Sequence, residues 1–162
     1  NKRDQALEYI HQICTDIDNS CVIKYCKNEA LNLILSSYAD QAKESGIDVR
    51  ISVTATNFTR FQITDLCSLF ANALENAIHA CEKIPTSEKR YITLKVFEKN
   101  DRICINIANN YIQNPVFENE IPTSREANHG IGVRSMISVV EKYHGVYGFF
   151  TENKEFRFQA SL

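Results

Sequence analysis

Residues 66–81, LCSLFANALENAIHAC, decide how this chain is read. At about 100° of rotation per residue, Asn72, Asn76, His79 and Lys83 fall within roughly 60° of one another on a helix, and Glu75 flanks them. Leu66, Phe70, Ala73, Leu74, Ala77 and Cys81 take the opposite side, apolar enough to face a core. A solvated helix face is usually built from Lys, Glu and Arg. Asn is a poor helix former, because its side chain competes for backbone hydrogen bonds. Two asparagines one turn apart therefore point to work for their amides. Spacing alone leaves a second reading open, a tolerated surface stripe.

On the N-terminal side, residues 3–18 have helical spacing, with Leu7, Ile10, Cys14 and Ile17 on one face. A second helix is predicted over 28–44, with Ala30, Leu31, Ile34, Leu35, Tyr38 and Ala42 as its apolar side, Asn28 as a cap and Ser45-Gly46 as its stop. Residues 47–54 alternate as a strand. The central helix runs from near residue 63 to before Pro85. Beyond it, strands are predicted over 91–98 and 102–108, with a tight turn at Lys99-Asn100-Asp101. Residues 109–129 have no sustained period, and a connection of that length in a compact domain is usually functional or disordered. A helix over 131–143 and strands over 146–151 and 155–161 complete the chain. Antiparallel strands with interposed helices read as an α+β two-layer sandwich, not a doubly wound sheet.

The 162 residues suffice for one domain and an appendage. With 44% hydrophobic and 23% charged residues, the composition reads as soluble and globular. A net charge of -2 and no basic run argue against a general nucleic-acid surface. No apolar stretch is long enough to span a membrane, and no signal peptide is seen. The start at Asn1 without Met reads as a piece of something longer, with any membrane anchor upstream. Cys14, Cys21, Cys26, Cys67, Cys81 and Cys104 show no Cys-x-x-Cys pair and no zinc spacing, so they read as reduced thiols of a cytosolic protein.

His129-Gly130-Ile131-Gly132-Val133 opens the last helix. Gly-x-Gly at a helix start lets backbone N–H groups approach a ligand, and suits a phosphate; it also reads as a tight turn. The spacing is neither a dinucleotide fingerprint nor a Walker A loop. Arg125 and Arg134 lie close in sequence and can add charge-assisted contacts. The two features together say more than either alone. Amide oxygens suit a hard cation such as magnesium, which takes few protein ligands and is completed by water and phosphates. A nucleotide–magnesium site is the combined reading.

These residues carry a resemblance. LFANALENAIHAC resembles the N box of the GHKL superfamily, the Bergerat-type ATP-binding fold shared by type II topoisomerases, mismatch-repair ATPases and histidine kinases. HGIGVRSM resembles its glycine-rich box. More narrowly, Asp65-Leu66-Cys67, Glu75-Asn76-Ala77-Ile78-His79-Ala80-Cys81 and Asn128-His129-Gly130-Ile131-Gly132 are similar to motifs of the peptide-sensing quorum histidine kinases of Gram-positive bacteria. The resemblance implies a mixed, mostly antiparallel sheet of about five strands packed on about three helices. It divides the chain into a helical dimerisation-region remnant and connector over 1–45 and an ATP-binding catalytic domain over 46–162.

The same resemblance implies ATP and Mg2+ as cofactors. Asn76 would ligate the metal, with Asn72 one turn earlier near the phosphates. Arg125, His129, Gly130, Ile131, Gly132 and Arg134 would surround the phosphates, and Asn109 would meet the adenine amino group. Many relatives carry Asp where Asn109 stands; an asparagine oxygen accepts the same hydrogen bond without charge. The glycines that normally follow are replaced by Asn110-Tyr111-Ile112-Gln113. ATP-hydrolysing relatives place a Glu where Asn72 stands, and an amide cannot act as general base. The branch implied is phosphoryl transfer to a partner side chain, with Asn72 and Glu75 as catalytic candidates.

The implied acceptor is a His on a dimerisation hairpin. His11, followed by Gln12 and Ile13, lacks the family's context, so the acceptor is expected upstream of Asn1 and the chain is not self-sufficient. The implied partners are that hairpin, a response regulator and, in the full-length protein, a second copy; neither nucleic acid nor a membrane contact of its own is expected. The implied setting is the cytoplasmic part of a membrane-bound bacterial sensor. Two other readings are a GHKL module that has lost useful ATP affinity and signals by contact, and an anti-sigma-factor-like serine kinase, against which Asn72 speaks.

Overall fold

The computed structural model describes residues 23–123 and 129–162, with His129 described by its backbone. Three helices, α1 (Glu29–Glu44), α2 (Ile63–Glu82) and α3 (His129–Lys142), lie on one face of a sheet. Its strands are β1 (Asp48–Val53), β2 (Tyr91–Lys99), β3 (Arg102–Asn110), β6 (Val146–Glu152) and β7 (Glu155–Ser161), in the order β1-β2-β3-β7-β6. Among the described residues only the β1–β2 pair is parallel. This is the expected α+β two-layer sandwich. The helix expected over 3–18 lies outside the described residues.

Register explains the core. Because side chains alternate across a strand, pairing puts one residue of each strand in the same inward row. One row is Ile51, Leu94, Ile107, Phe158 and Phe149; the next is Val53, Val96, Ile105, Ala160 and Tyr147. The third reads Val49, Ile92, Asn109, Phe156 and Thr151. An amide thus stands in the middle strand, where the pattern calls for an aliphatic side chain. Asn109 is 2% exposed and is the buried polar residue among those described.

Above the sheet, α2 buries Leu66, Leu69, Phe70, Ala73, Leu74, Ala77, Ile78 and Cys81. That arc is wider than a surface helix shows, because α1 and α3 flank it on both sides. The α1 helix is capped by Asn28, whose Oδ1 accepts from Leu31 N at 3.0 Å. It buries Leu31, Leu35, Ala39 and Ala42 in the same core as the sheet. Residues 29–44 thus pack their apolar side into the core of the sandwich, on the N-terminal side of the division expected between residues 45 and 46. The physical reason is that β1 and α2 leave an apolar flank which the α1 stripe covers.

Inside the stretch expected to lack periodicity, two three-residue strands pair, β4 (Val116–Glu118) and β5 (Ile121–Thr123). They turn at Asn119-Glu120, both in the left-handed region with φ 50° and 65°. Asn100-Asp101 and Asn153-Lys154 turn the same way, φ 51° and 59°, and 50° and 63°. Positive φ at both central residues matches the right-handed twist of the flanking strands, and asparagine tolerates it better than most residues.

At the far end, α2 and α3 are tied by charge. Asp65 Oδ2 accepts from Lys142 Nζ at 2.7 Å and from Tyr143 OH at 2.5 Å. Those bonds, Lys142 first, hold the Asp65 carboxyl below its ordinary range. A carboxyl so depressed adds stability that is complete above the unfolded value, about 4, and is lost as pH falls through the folded value. The urea midpoint is therefore expected to fall below about pH 4, and to fall less steeply in Asp65→Asn. Equal acid slopes would assign the loss to Glu98 and Glu155, whose carboxyls are also held low.

Candidate functional site

Between α2, α3 and the sheet a cavity of about 340 Å³ opens beside the β4–β5 hairpin. Its floor is apolar: Ile107, Phe149, Phe156 and Phe158 from the sheet, Val133 and Met136 from α3. Phe149 packs on Phe158 and Phe156, ring centroids 5.1 and 6.1 Å apart. Asn76, His79 and Lys83 of α2 line one wall, Asn109 lies at the floor, and Pro115, Val116, Pro122 and Thr123 form the rim. No Asp or Glu lines it among the described residues, while His79 and Lys83 are basic. Such a lining takes a flat apolar body with an anionic end.

The asparagine stripe is brought against the glycine turn, as the sequence pairing implied. A Cβ at Gly132 would lie 3.0 Å from Asn72 Oδ1 and 3.6 Å from Asn76 Nδ2. Only glycine allows α3 to approach that closely without displacing an amide. A Cβ at Gly130 meets nothing within 4 Å among the described residues. The two glycines thus differ: Gly132 serves packing and proximity, while Gly130 touches none of the described side chains.

The two asparagines also differ. Asn72 does not line the cavity. Its Nδ2 donates to Ser68 O at 2.8 Å and, more weakly, to Ser68 Oγ and Ser135 Oγ at 3.3 Å, so the amide works between the helices. Asn76 does line it, and its Nδ2 approaches Met136 Sδ, also in the lining, at 3.9 Å. Among the described residues no group of three His, Cys, Asp or Glu side chains can hold a metal. A cation here would be held by the Asn76 oxygen and the ligand's own oxygens. One neutral ligand fits an ion of the magnesium type, which keeps water and phosphate around it.

Asn109 is oriented by its neighbour. Its Nδ2 donates to Asn110 O at 2.9 Å, which leaves the amide oxygen as its acceptor for a ligand. Asn110 is itself fixed: Oδ1 accepts from Tyr91 N at 2.9 Å and Nδ2 donates to Lys89 O at 2.7 Å. Cys81 packs behind this pair, 3.6 Å from Asn110 O. Burial pushes its thiol up to about 11, so it stays protonated and behaves as a small hydrophobe. Cys26, Cys67 and Cys104 are free thiols too, and Cys14 and Cys21 lie outside the described residues.

Other expected site residues lie elsewhere. Glu75 is exposed and lines no part of the cavity; its charge raises the Tyr38 phenol of α1, second to burial. Lying on the flank of the stripe put it over α1 instead of over the ligand wall. Ile131 and Arg134 are exposed on α3 and do not line the cavity. His129 opens the helix, and Arg125 lies outside the described residues. Sequence reasoning passed over Asn110, whose signal was a second amide beside the first. It also passed over the aromatic floor, whose signal was Phe149, Phe156 and Phe158 at alternating positions. No described helix is long and apolar enough to cross a membrane.

A family model described as a GHKL domain matches residues 61–162. Among solved structures the chain is similar to the catalytic domain of histidine kinase ThkA in a nucleotide-free form. That match has 15% identity and a TM-score of 0.65, and covers 85% of this chain and 94% of that one. It is also similar to Acinetobacter baumannii histidine kinase AdeS, with 9% identity and a TM-score of 0.61 over 82% of this chain and 62% of that one. Full-length ShkA in complex with AMPPNP matches with 13% identity and a TM-score of 0.58 over 82% of this chain and 28% of that one. At these identities the likeness speaks for the fold. No curated protein matches the sequence.

Proposed function

The chain belongs to the GHKL domain family, and from that premise we propose that it is the ATP-binding catalytic domain of a sensor histidine kinase. The observation that carries the reading is Asn109. A buried amide in an apolar sheet row costs free energy unless something it binds repays it. Asn109 lines a cavity with an aromatic floor, and its amide oxygen is suited to accept from the amino group of an adenine nucleotide. The AMPPNP complex of ShkA supports a nucleotide in this fold. The Asn76 oxygen would hold Mg2+ between protein and phosphates, while Gly130 and the first turn of α3 would meet the phosphates with backbone N–H groups. Asn72 positions α3 and Glu75 stays on the flank. The γ-phosphate would pass to a His on a dimerisation hairpin outside this chain, then to a response regulator, in a homodimeric, peptide-sensing receptor whose membrane segment also lies outside it.

Calorimetric titration with Mg–ATP and with Mg–ITP tests the site. ITP presents an oxygen where ATP presents the amino group, so ATP is expected to bind about tenfold more tightly, and Asn109→Leu to erase the difference. Equal binding by the unaltered protein removes Asn109 from base selection; no saturable binding by either nucleotide rejects the kinase reading. For the transfer, radiolabel from Mg–ATP is expected on a supplied hairpin carrying the acceptor His, acid-labile and base-stable, and not on the chain alone. Self-labelling that disappears in His11→Ala would place the acceptor within the chain.

A further inference from the structure

We propose that Asp65, with Lys142 and Tyr143, is a positioning residue of the nucleotide site, fixing the register of α3 on α2 and so where Gly132 meets Asn72 and Asn76. The inference rests on the nucleotide reading of the cavity, and extends it to residues about 16 Å away along α2, eleven residues at 1.5 Å each. The two helices run antiparallel. Asp65 lies beside Lys142 and Tyr143, Ser68 beside Ser135, and Asn72 beside Gly132.

These tie points differ in strength. At the site end Gly132 permits a close approach that a side chain would obstruct, but it makes no directed bond. In the middle, Ser68 Oγ and Ser135 Oγ are 3.3 Å apart, as are Asn72 Nδ2 and Ser135 Oγ, both long for hydrogen bonds. At the far end the contacts are short and directed. Lys142 Nζ donates to Asp65 Oδ2 at 2.7 Å and to Gln62 Oε1 at 2.8 Å. Tyr143 OH donates to Asp65 Oδ2 at 2.5 Å and accepts the Gln62 N–H at 2.9 Å. Gln62 is the N-cap of α2 and makes no side-chain cap bond. A residue just beyond α3 thus takes an N–H that the start of α2 leaves unpaired. Phe61 meets the Tyr143 ring edge-on at 4.9 Å, and Arg60 Nη2 holds the C-terminal Leu162 carbonyl at 2.7 Å. A slide of one residue along α3 would break all four polar bonds together and would move Gly132 out of its close contact with Asn72.

A purely local role predicts something else. Asp65 in the first turn of α2 and Lys142 in the last turn of α3 each favour their own helix dipole. Losing that effect lowers the melting temperature and leaves the folded site unchanged. The test uses the whole 162-residue chain, at a temperature where circular dichroism shows each variant folded. Asp65→Asn is expected to weaken Mg–ATP binding about 3- to 10-fold. In the ligand-free protein it is also expected to shift the Gly132 backbone and Asn72 side-chain amide resonances. Lys142→Arg, which keeps a cation in reach, is expected to retain both. Tyr143→Phe, which removes one hydroxyl and keeps the ring, is read in the same way should Asp65→Asn not fold. A folded variant with unchanged Gly132 and Asn72 signals, or with unweakened binding, overturns the proposal. If the unaltered protein binds no Mg–ATP, the kinase reading fails, and the resonances alone decide the positioning role.

Discussion

Gly132→Val is expected to lower Mg–ATP affinity by about 10²-fold or more while Gly130→Ala leaves the fold intact and slightly more stable. The two glycines are one residue apart and look alike in sequence; the contacts separate them. A Cβ at Gly132 already falls 3.0 Å from Asn72 Oδ1 and 3.7 Å from Asn72 Cβ. Alanine there needs the asparagine to yield by a few tenths of an ångström, an ordinary adjustment for a side chain. Valine adds two methyl groups beyond that point, and overpacking of this kind costs about 1–3 kcal/mol. The strain is relieved either by α3 lifting from α2 or by both amides turning aside. Each outcome removes the juxtaposition of asparagines and glycine turn on which the site depends. Among the described residues a Cβ at Gly130 meets nothing within 4 Å, and its φ is not positive, so alanine there fits. Replacing a helical glycine raises stability by about 0.5–1 kcal/mol. Gly130→Ala thus tests the first turn by itself: affinity that falls while stability rises would mark a ligand approaching its backbone. Wild-type affinity in Gly132→Val would show that the nucleotide does not depend on this contact.

Where the chain's pattern is long, the sequence was sufficient. The α2 helix spans Ile63–Glu82, the expected turn at Asn100-Asp101 is present, and Asn153-Lys154 turns between the two last strands. A twenty-residue period and Asn-led reversals are local signals that no tertiary contact has to complete. The β4–β5 hairpin was missed because three residues are too few to show alternation. Its signal was the turn, Asn119-Glu120 between Val116-Phe117-Glu118 and Ile121. What α1 packs against was not legible, for another reason. Its stripe was legible, but a stripe says that a face is buried and not against what. Ala30, placed on that stripe, is exposed, and Ala39 takes its place in the core.

The site was legible to the same depth. A wheel puts Asn72, Asn76, His79 and Lys83 together, and Asn76, His79 and Lys83 do share the cavity wall. It cannot say that α3 would cover Asn72, or that Glu75 would stand over Tyr38. Those outcomes depend on which neighbour lies at which angle around α2. Asn109 was visible at a strand end, yet the lock on its amide comes from the backbone carbonyl of Asn110, which any residue would supply. Side-chain identity in a sequence carries no record of such a bond.

Asn76→Ala is expected to lower Mg-dependent phosphoryl transfer to a supplied acceptor hairpin by on the order of 10²–10³-fold, the scale of a lost metal contact. Stability should not fall with it. The side chain is half-buried, and among the described residues its hydrogen-bonding contact is the weak approach of Nδ2 to Met136 Sδ at 3.9 Å. Alanine is also a better helix former by a few tenths of a kcal/mol, roughly, which offsets that loss. The metal assignment makes a sharper demand on binding. Measured without Mg2+, ATP should bind Asn76→Ala about as well as the unaltered protein, because the amide oxygen then has no cation to hold. With Mg2+, the unaltered protein should gain affinity and the variant should not. Asn76→Asp gives the opposite sign in each arm. Its carboxylate repels the phosphates when the metal is absent and attracts the cation when it is present, so the dependence on Mg2+ should steepen. Identical Mg2+ responses in the unaltered protein, Asn76→Ala and Asn76→Asp would move the cation away from α2.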